Sequence, residues 1–260
     1  MAKNPEKKAE LTEHLSELRA RLVRSIIYVV AGAVLAWCFY DYLFSFLVRP
    51  MAGVLDEQSS SFLLTSFPEA FMIQLQVCLV AGLIAASPLL TAELWGFVSP
   101  GLTRSERRPV KWLVPLASAL FASGVALCYL ILPAAFNWFA SYTPPGAELR
   151  PTVQSSILFS VKMLFMFGVV FELPVVLMLL AKVGIVSSGS LLANWRMAMV
   201  GVAVLAAVAT PSNDAFTMLV MAVPVAVLYF LSIILVKWVE APHGFAGFLA
   251  RLFKRKRRNK

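Results

Sequence analysis

Apolar and polar residues follow one another along this chain in long blocks. Predominantly apolar runs occupy roughly 24–46, 70–97, 110–134, 156–182, 194–210 and 215–237. A helix needs about 20 mostly apolar residues to cross a bilayer's hydrocarbon core, so the pattern predicts six spans within a membrane domain at 24–237. Ahead of them, Leu11, Leu15, Leu18 and Leu22 recur at helical spacing and predict an amphipathic helix over 1–23. Residues 238–260 form a basic tail, and two longer polar stretches, 49–69 and 137–156, are long enough to make short caps on the surface.

The runs are not uniform. Pro88, Pro115, Pro174 and Pro224 lie inside the second, third, fourth and sixth. Each removes an amide donor and bends its helix, so the expectation is an all-α, polytopic membrane protein of curved, kinked helices. The fifth run has only fourteen uncharged residues, Met197 to Thr210. A short span is matched by thinning the bilayer, by polar flanks, or by packing on a partner helix. Plain helix irregularity is an equally good reading.

Composition agrees with lipid as the main solvent: 60% of residues are hydrophobic, 14% are charged, and the mean hydropathy is +0.79. Ordinary soluble domains carry about 25% charged residues. The net charge of +9 acquires meaning from its placement. Twenty of the 23 Lys and Arg fall in the N-terminal arm, the 98–112 turn, the 182–196 turn and the tail. Only Arg49 and Arg150 lie in the opposite loops, and Lys162 is within a span. Positive loops stay inside, so both termini and the 98–112 turn are expected in the cytoplasm, with the first run a retained span rather than a cleaved leader.

Catalytic chemistry finds little support. No histidine occurs in a span, and neither a phosphate-cradling glycine loop nor a metal spacing is present. Cys38, Cys78 and Cys128 sit far apart in apolar runs and read as small packing residues. No enzyme activity and no cofactor are expected.

Ionisable residues in or beside spans are Asp41, Glu69, Glu93, Lys162, Glu172 and Asp214. Charge in lipid is costly and marks function by default, although Asp41, Glu69 and Asp214 are near enough to span ends to reach headgroups. Glu172 lies well inside the fourth span, two residues before Pro174. Two readings stand: a protonated group bonding a carbonyl freed by the kink, or the lining of a polar cavity. Lys162 is not its partner, since ten residues separate the two by about 15 Å along a helix.

Two acids stand among cations at the inner rim. Glu17 is four residues before Arg21, the favourable order for an ordinary helical pair, which contributes only about 0.2–0.5 kcal/mol. Glu106 lies among Arg104, Arg107, Arg108 and Lys111. A capping box from Thr103 is one use for it. Pro109 favours a helix starting there, which leaves Glu106 on an exposed turn. Each carboxylate can grip one guanidinium fork with two charge-assisted bonds. Glu93 and Phe97, four apart, share a face nearby.

At these residues the sequence resembles the TatC family, the twin-arginine protein translocase subunits. The likeness is carried by "HLSELRARL", "SFPEAF", "AGLIAASPLL", "LWGFVSPGLTRSERR", "FGVVFELPVV" and "TPSNDAF…AVP", in order through nearly the whole chain. It implies a glove-like six-span fold and a receptor for the Arg-Arg signal peptide of folded cargo. It also implies assembly with TatA- and TatB-type single-span subunits, self-association in that complex, and export driven by the proton-motive force across the cell's inner membrane. By the same resemblance Glu17, Glu106, Arg19 and Phe97 belong to the signal-binding surface, Pro50 is a functional outer-loop proline, and Glu172 is the intramembrane acid. Thr210 and Asp214 fall where partner helices dock. Gln76 and Met218 depart from the family's pattern, and the second leaves partner contacts on the sixth span open.

The tail's Phe245, Phe248, Leu249, Leu252 and Phe253 follow helical spacing ahead of "KRKRRNK". That suits a helix lying against anionic lipid, or a disordered orientation signal; nucleic acid fits poorly beside a span. A different functional class also stays open. Kinked spans with Glu172 and Asp214 suit a proton- or ion-coupled transporter of a small solute, although no three-plus-three repeat is evident.

Overall fold

The structure, a computed structural model, describes residues 5–57, 62–98, 110–147, 150–182, 184–212 and 214–240. The turn holding Thr103 and Glu106, and the tail from 241, lie outside the described residues. Ten α-helices are described: α1 (Pro5–Cys38), α2 (Tyr40–Val48), α3 (Ala52–Glu57), α4 (Phe67–Val98), α5 (Val110–Ala140), α6 (Val153–Val170), α7 (Leu173–Lys182), α8 (Ser188–Ala193), α9 (Trp195–Ala209) and α10 (Ala215–Glu240).

Among the described residues, five stretches are long and apolar enough to cross a membrane: Leu15–Cys38, Phe67–Phe97, Val114–Ala140, Val153–Lys182 and Ala215–Trp238. Helix α9 is apolar but has only 15 residues, about 22 Å of rise against a core of about 30 Å. It occupies the fifth, short run.

Helix α1 is one rod, so the amphipathic arm and the first span are continuous. Pro5 stands at its first position, where the missing amide is not needed, and no proline follows until Pro50. The apolar run outlasts the helix. At Phe39 the backbone turns (φ −111°, ψ 20°), and residues 40–48 form the separate α2.

Proline acts differently from span to span. Pro88, Pro115, Pro133 and Pro224 remain inside continuous helices. At Pro174 the chain breaks: α6 ends at Val170 and α7 starts at Leu173. Pro174 then occupies the second position of α7, where a missing amide costs nothing. The carbonyl of Glu172 accepts from the amides of Val175 (2.9 Å) and Val176 (3.0 Å) and opens the new helix.

Helix α1 packs on α4, α5 on α6, and α7, α8 and α9 on α10, with α4 also touching α5 and α6. The α1–α4 crossing brings backbones together. A Cβ on Gly82 would lie 2.3 Å from the Ala33 amide nitrogen, and one on Gly32 would lie 2.7 Å from the Gly82 carbonyl. Small residues permit this approach, and in lipid such packing replaces the hydrophobic effect as the force joining helices. The main core gathers Phe167, Ile157, Leu132, Met163, Met221 and Val225, all fully buried. A second cluster unites Trp95, Ala117, Val175, Met178 and Val236. Cys78 and Cys128 are buried packing residues, and Cys38 is exposed.

The two long polar loops are fastened to each other. Leu63 donates to the Pro151 carbonyl and accepts from the Val153 amide, both at 3.1 Å. Glu69, at the third position of α4, turns its Oε2 back to the Thr65 and Ser66 amides and the Thr65 hydroxyl. That is the acidic half of a capping box.

Candidate functional site

Glu17, Arg21, Arg24 and Tyr28 recur on α1 at intervals of four, three and four, a single helical face, and that face meets the end of α4. Arg21 forks. Its Nη2 and Nε reach Glu17 Oε1 at 2.7 and 3.1 Å, while Nη1 reaches Glu93 Oε2 at 3.1 Å. Glu93 Oε1 in turn accepts from Arg24 Nη1 at 3.2 Å and the Tyr28 hydroxyl at 3.5 Å. Glu93 is only 9% exposed, and burying a carboxylate is tolerated because two guanidinium groups and a phenol meet it. Gly96 makes the room: a Cβ there would lie 1.9 Å from Arg21 Nη1.

The pair expected from spacing, Glu17 with Arg21, is present. Local spacing did not reveal that Arg21 has a second acceptor on another helix, 72 residues away. The available signal was an acid at the edge of the second span together with arginines in register at 21 and 24, but nothing in the sequence states that those edges touch. Phe97 is part-buried one turn beyond Glu93, and Arg19 is exposed. Glu106 lies outside the described residues. The structure thus brings Glu17, Arg21 and Glu93 into one network on the first two long helices.

The remaining candidates are elsewhere. Pro50 is buried in a 3-10 turn, Arg49–Met51, that packs on α5. Glu172 sits at the α6–α7 break with its Oε1 buried and, among the described residues, without a hydrogen-bond partner, so that oxygen bonds no carbonyl freed by the kink. Thr210 and Asp214 build the α9–α10 turn. Thr210, 5% exposed, donates to the Ala206 carbonyl at 3.0 Å. Asp214 caps α10: Oδ1 accepts the Thr217 amide (2.8 Å) and Oδ2 the Thr217 hydroxyl (2.6 Å).

Burial works to raise the Asp214 carboxyl, but the hydrogen bonds from Ser212 and Thr217 outweigh it and hold the group below its ordinary 3.8. A depressed folded value means that the cap's stabilisation is complete above pH 3.8 and fades as pH falls through the folded value. Asp214→Ala is therefore expected to cost about 1 kcal/mol at pH 7. Thermal unfolding in detergent should show the gap to wild type closing in strong acid, where the native cap is also lost.

The chain is similar over most of its length to known proteins. Residues 13–224 match the family model for the Sec-independent protein translocase protein (TatC). A TatC of Desulforapulum autotrophicum is 41% identical over 230 residues, 88% of this chain and 84% of the relative. A chloroplastic TATC of Arabidopsis thaliana is 36% identical over 86% of this chain and 65% of the relative. A crystal structure of a twin-arginine translocase receptor, TatC, superimposes with a TM-score of 0.74 at 32% identity, covering 87% of this chain and 99% of that one.

Proposed function

The chain belongs to the TatC family of Sec-independent protein translocase proteins, and from that premise we propose that it is the membrane receptor for twin-arginine signal peptides on folded cargo. One observation supports the site most directly: a guanidinium fork already rests on Glu17, delivered by Arg21 from one turn away. In the resting receptor Arg21 fills the place that a signal arginine takes. Glu93 gives Arg21 somewhere else to go, so Glu17 can be released without stranding a cation. The second arginine of the pair is assigned to Glu106, eight residues beyond α4 in the chain, with Arg19 and Phe97 as further residues of the surface.

The wider reading follows from the family. The receptor lies in the inner membrane with both termini in the cytoplasm. It associates with itself and with TatA- and TatB-type subunits, and export draws on the proton-motive force. The α9–α10 turn with Thr210 and Asp214 is the region for partner docking, and Pro50 and Glu172 support transport away from the signal site. The basic tail rests on anionic lipid. A receptor works by binding and release, without catalysis or cofactor. The family's name is that of a protein translocase, which argues against small-solute transport.

Photo-crosslinking tests the site. A twin-arginine peptide is expected to crosslink to probes placed at positions flanking 17 and 106, and a twin-lysine peptide to do so only weakly, because an ammonium cannot offer the planar fork. Equal labelling by both peptides would overturn it.

A further inference from the structure

Lys162 is a cation inside a membrane-crossing helix, nine residues into α6 and exposed. It forms no salt bridge with any described residue. Two acids on neighbouring elements are held by other groups: the Oε2 of Glu69 by Thr65 and Ser66, with its Oε1 buried, and Asp214 by Thr217. An unpaired ammonium in hydrocarbon is costly, and it persists where it finds an anion or water.

The surroundings say which. Lys162 lines an open cavity of about 430 Å³ together with Thr152, Gln154, Ser155 and Pro211. Gln154, Leu158 and Lys162 recur every four residues, so an amide, an apolar side chain and the cation share one face of α6. Pro211 is the second residue beyond α9. Helix α9 rises only about 22 Å, and of the ways a short span is matched, a lowered lipid surface beside it is the one that brings headgroups toward Lys162. Pro211 and Lys162 share a cavity, which places the dip where the ammonium stands. Lys162 is about 14 Å along α6 from Val153, and its four-carbon stem lets the charge climb toward a lowered headgroup. Exposed apolar residues on the adjoining α9, among them Val204 and Val208, continue the surface.

We propose that this cavity is a binding site for one anionic phospholipid of the outward-facing leaflet. Its phosphate is held by Lys162 with help from the side-chain amide of Gln154, and its acyl chains lie along α9, while the Thr152 and Ser155 hydroxyls, which bond each other at 2.7 Å, line the rim of the cavity. A phosphodiester supplies the strong acceptor oxygens that an ammonium seeks. A net-negative headgroup neutralises the lysine, whereas a zwitterionic one brings a competing cation. The lipid would seal the side of the fold where α9 is too short to do so. This site is independent of the signal-binding rim and lies toward the opposite surface.

Native mass spectrometry of the full chain, released from detergent with added phosphatidylglycerol, phosphatidylcholine or inorganic phosphate, tests the proposal. The wild type is expected to retain one phosphatidylglycerol that Lys162→Gln binds about tenfold more weakly, the scale of one lost charge-assisted bond. Lys162→Arg, which keeps the charge, should retain it and guards against misfolding as the cause. The basic tail also attracts anionic lipid, but it is common to all three proteins and cancels. Equal retention by Lys162→Gln would overturn the site. So would equal retention of phosphatidylcholine or of phosphate alone by the wild type.

Discussion

Replacing Glu17 and Glu106 together by alanine is expected to reduce the affinity for a twin-arginine peptide by more than a hundredfold while leaving the protein folded in the membrane. Each carboxylate is assigned one guanidinium, and a hydrogen bond to a charged group contributes about 1.5–3 kcal/mol, so losing two removes at least two powers of ten. The fold should survive because Arg21 does not depend on Glu17 alone. Its Nη1 remains on Glu93 at 3.1 Å, and the intrahelical pair that disappears contributes only about 0.2–0.5 kcal/mol.

A companion variant should move the other way. Arg21→Gln removes the internal competitor for Glu17 and leaves Arg24 to hold Glu93. Peptide binding should then tighten by up to about fivefold, the range of a partly exposed ion pair. Fluorescence anisotropy with a labelled peptide reads both changes. Unchanged affinity in the double alanine variant would remove the site assignment, and weaker binding in Arg21→Gln would show that Arg21 assists the ligand rather than standing in for it.

The second large effect lies at the α1–α4 crossing. Gly82→Leu is expected to prevent α1 from docking and to lower the yield of folded protein sharply. The obstacle is backbone: the added Cβ would stand 2.3 Å from the Ala33 nitrogen and 2.7 Å from the Gly32 carbonyl carbon. Neither atom can swing aside as the end of a side chain can, so the helices must separate. Overpacking of a core by itself costs about 1–3 kcal/mol. Here the separation also strains the Arg21–Glu93 bond, because both contacts join the same two helices. Gly82→Ala should show a smaller loss of the same kind. Gly53→Ala, whose Cβ meets nothing within 4 Å, is the control. Thermal unfolding in detergent should rank Gly82→Leu below Gly82→Ala, and that below wild type and Gly53→Ala. A wild-type midpoint for Gly82→Leu would mean that the crossing is not held as tightly as described.

The elements of this protein were largely legible in its sequence. Lipid imposes a length of about 20 apolar residues on every crossing, and that demand is local, so a count along the chain found the long helices and the short α9. Spacing by four found the Glu17–Arg21 pair for the same reason. It also carried Pro174 part of the way, since a kink was expected and a complete break between α6 and α7 was found.

The tertiary structure decided which edges meet. Arg21 bonds Glu93 across 72 residues, Gly32 meets Gly82, Leu63 pairs with Thr152, and Lys162 shares a cavity with Pro211. None of these has a period or spacing. Helix formation depends on neighbours a few residues apart, whereas packing selects partners by shape and charge after the helices exist. What α1 and α4 do together was therefore settled by where two glycines let their backbones touch.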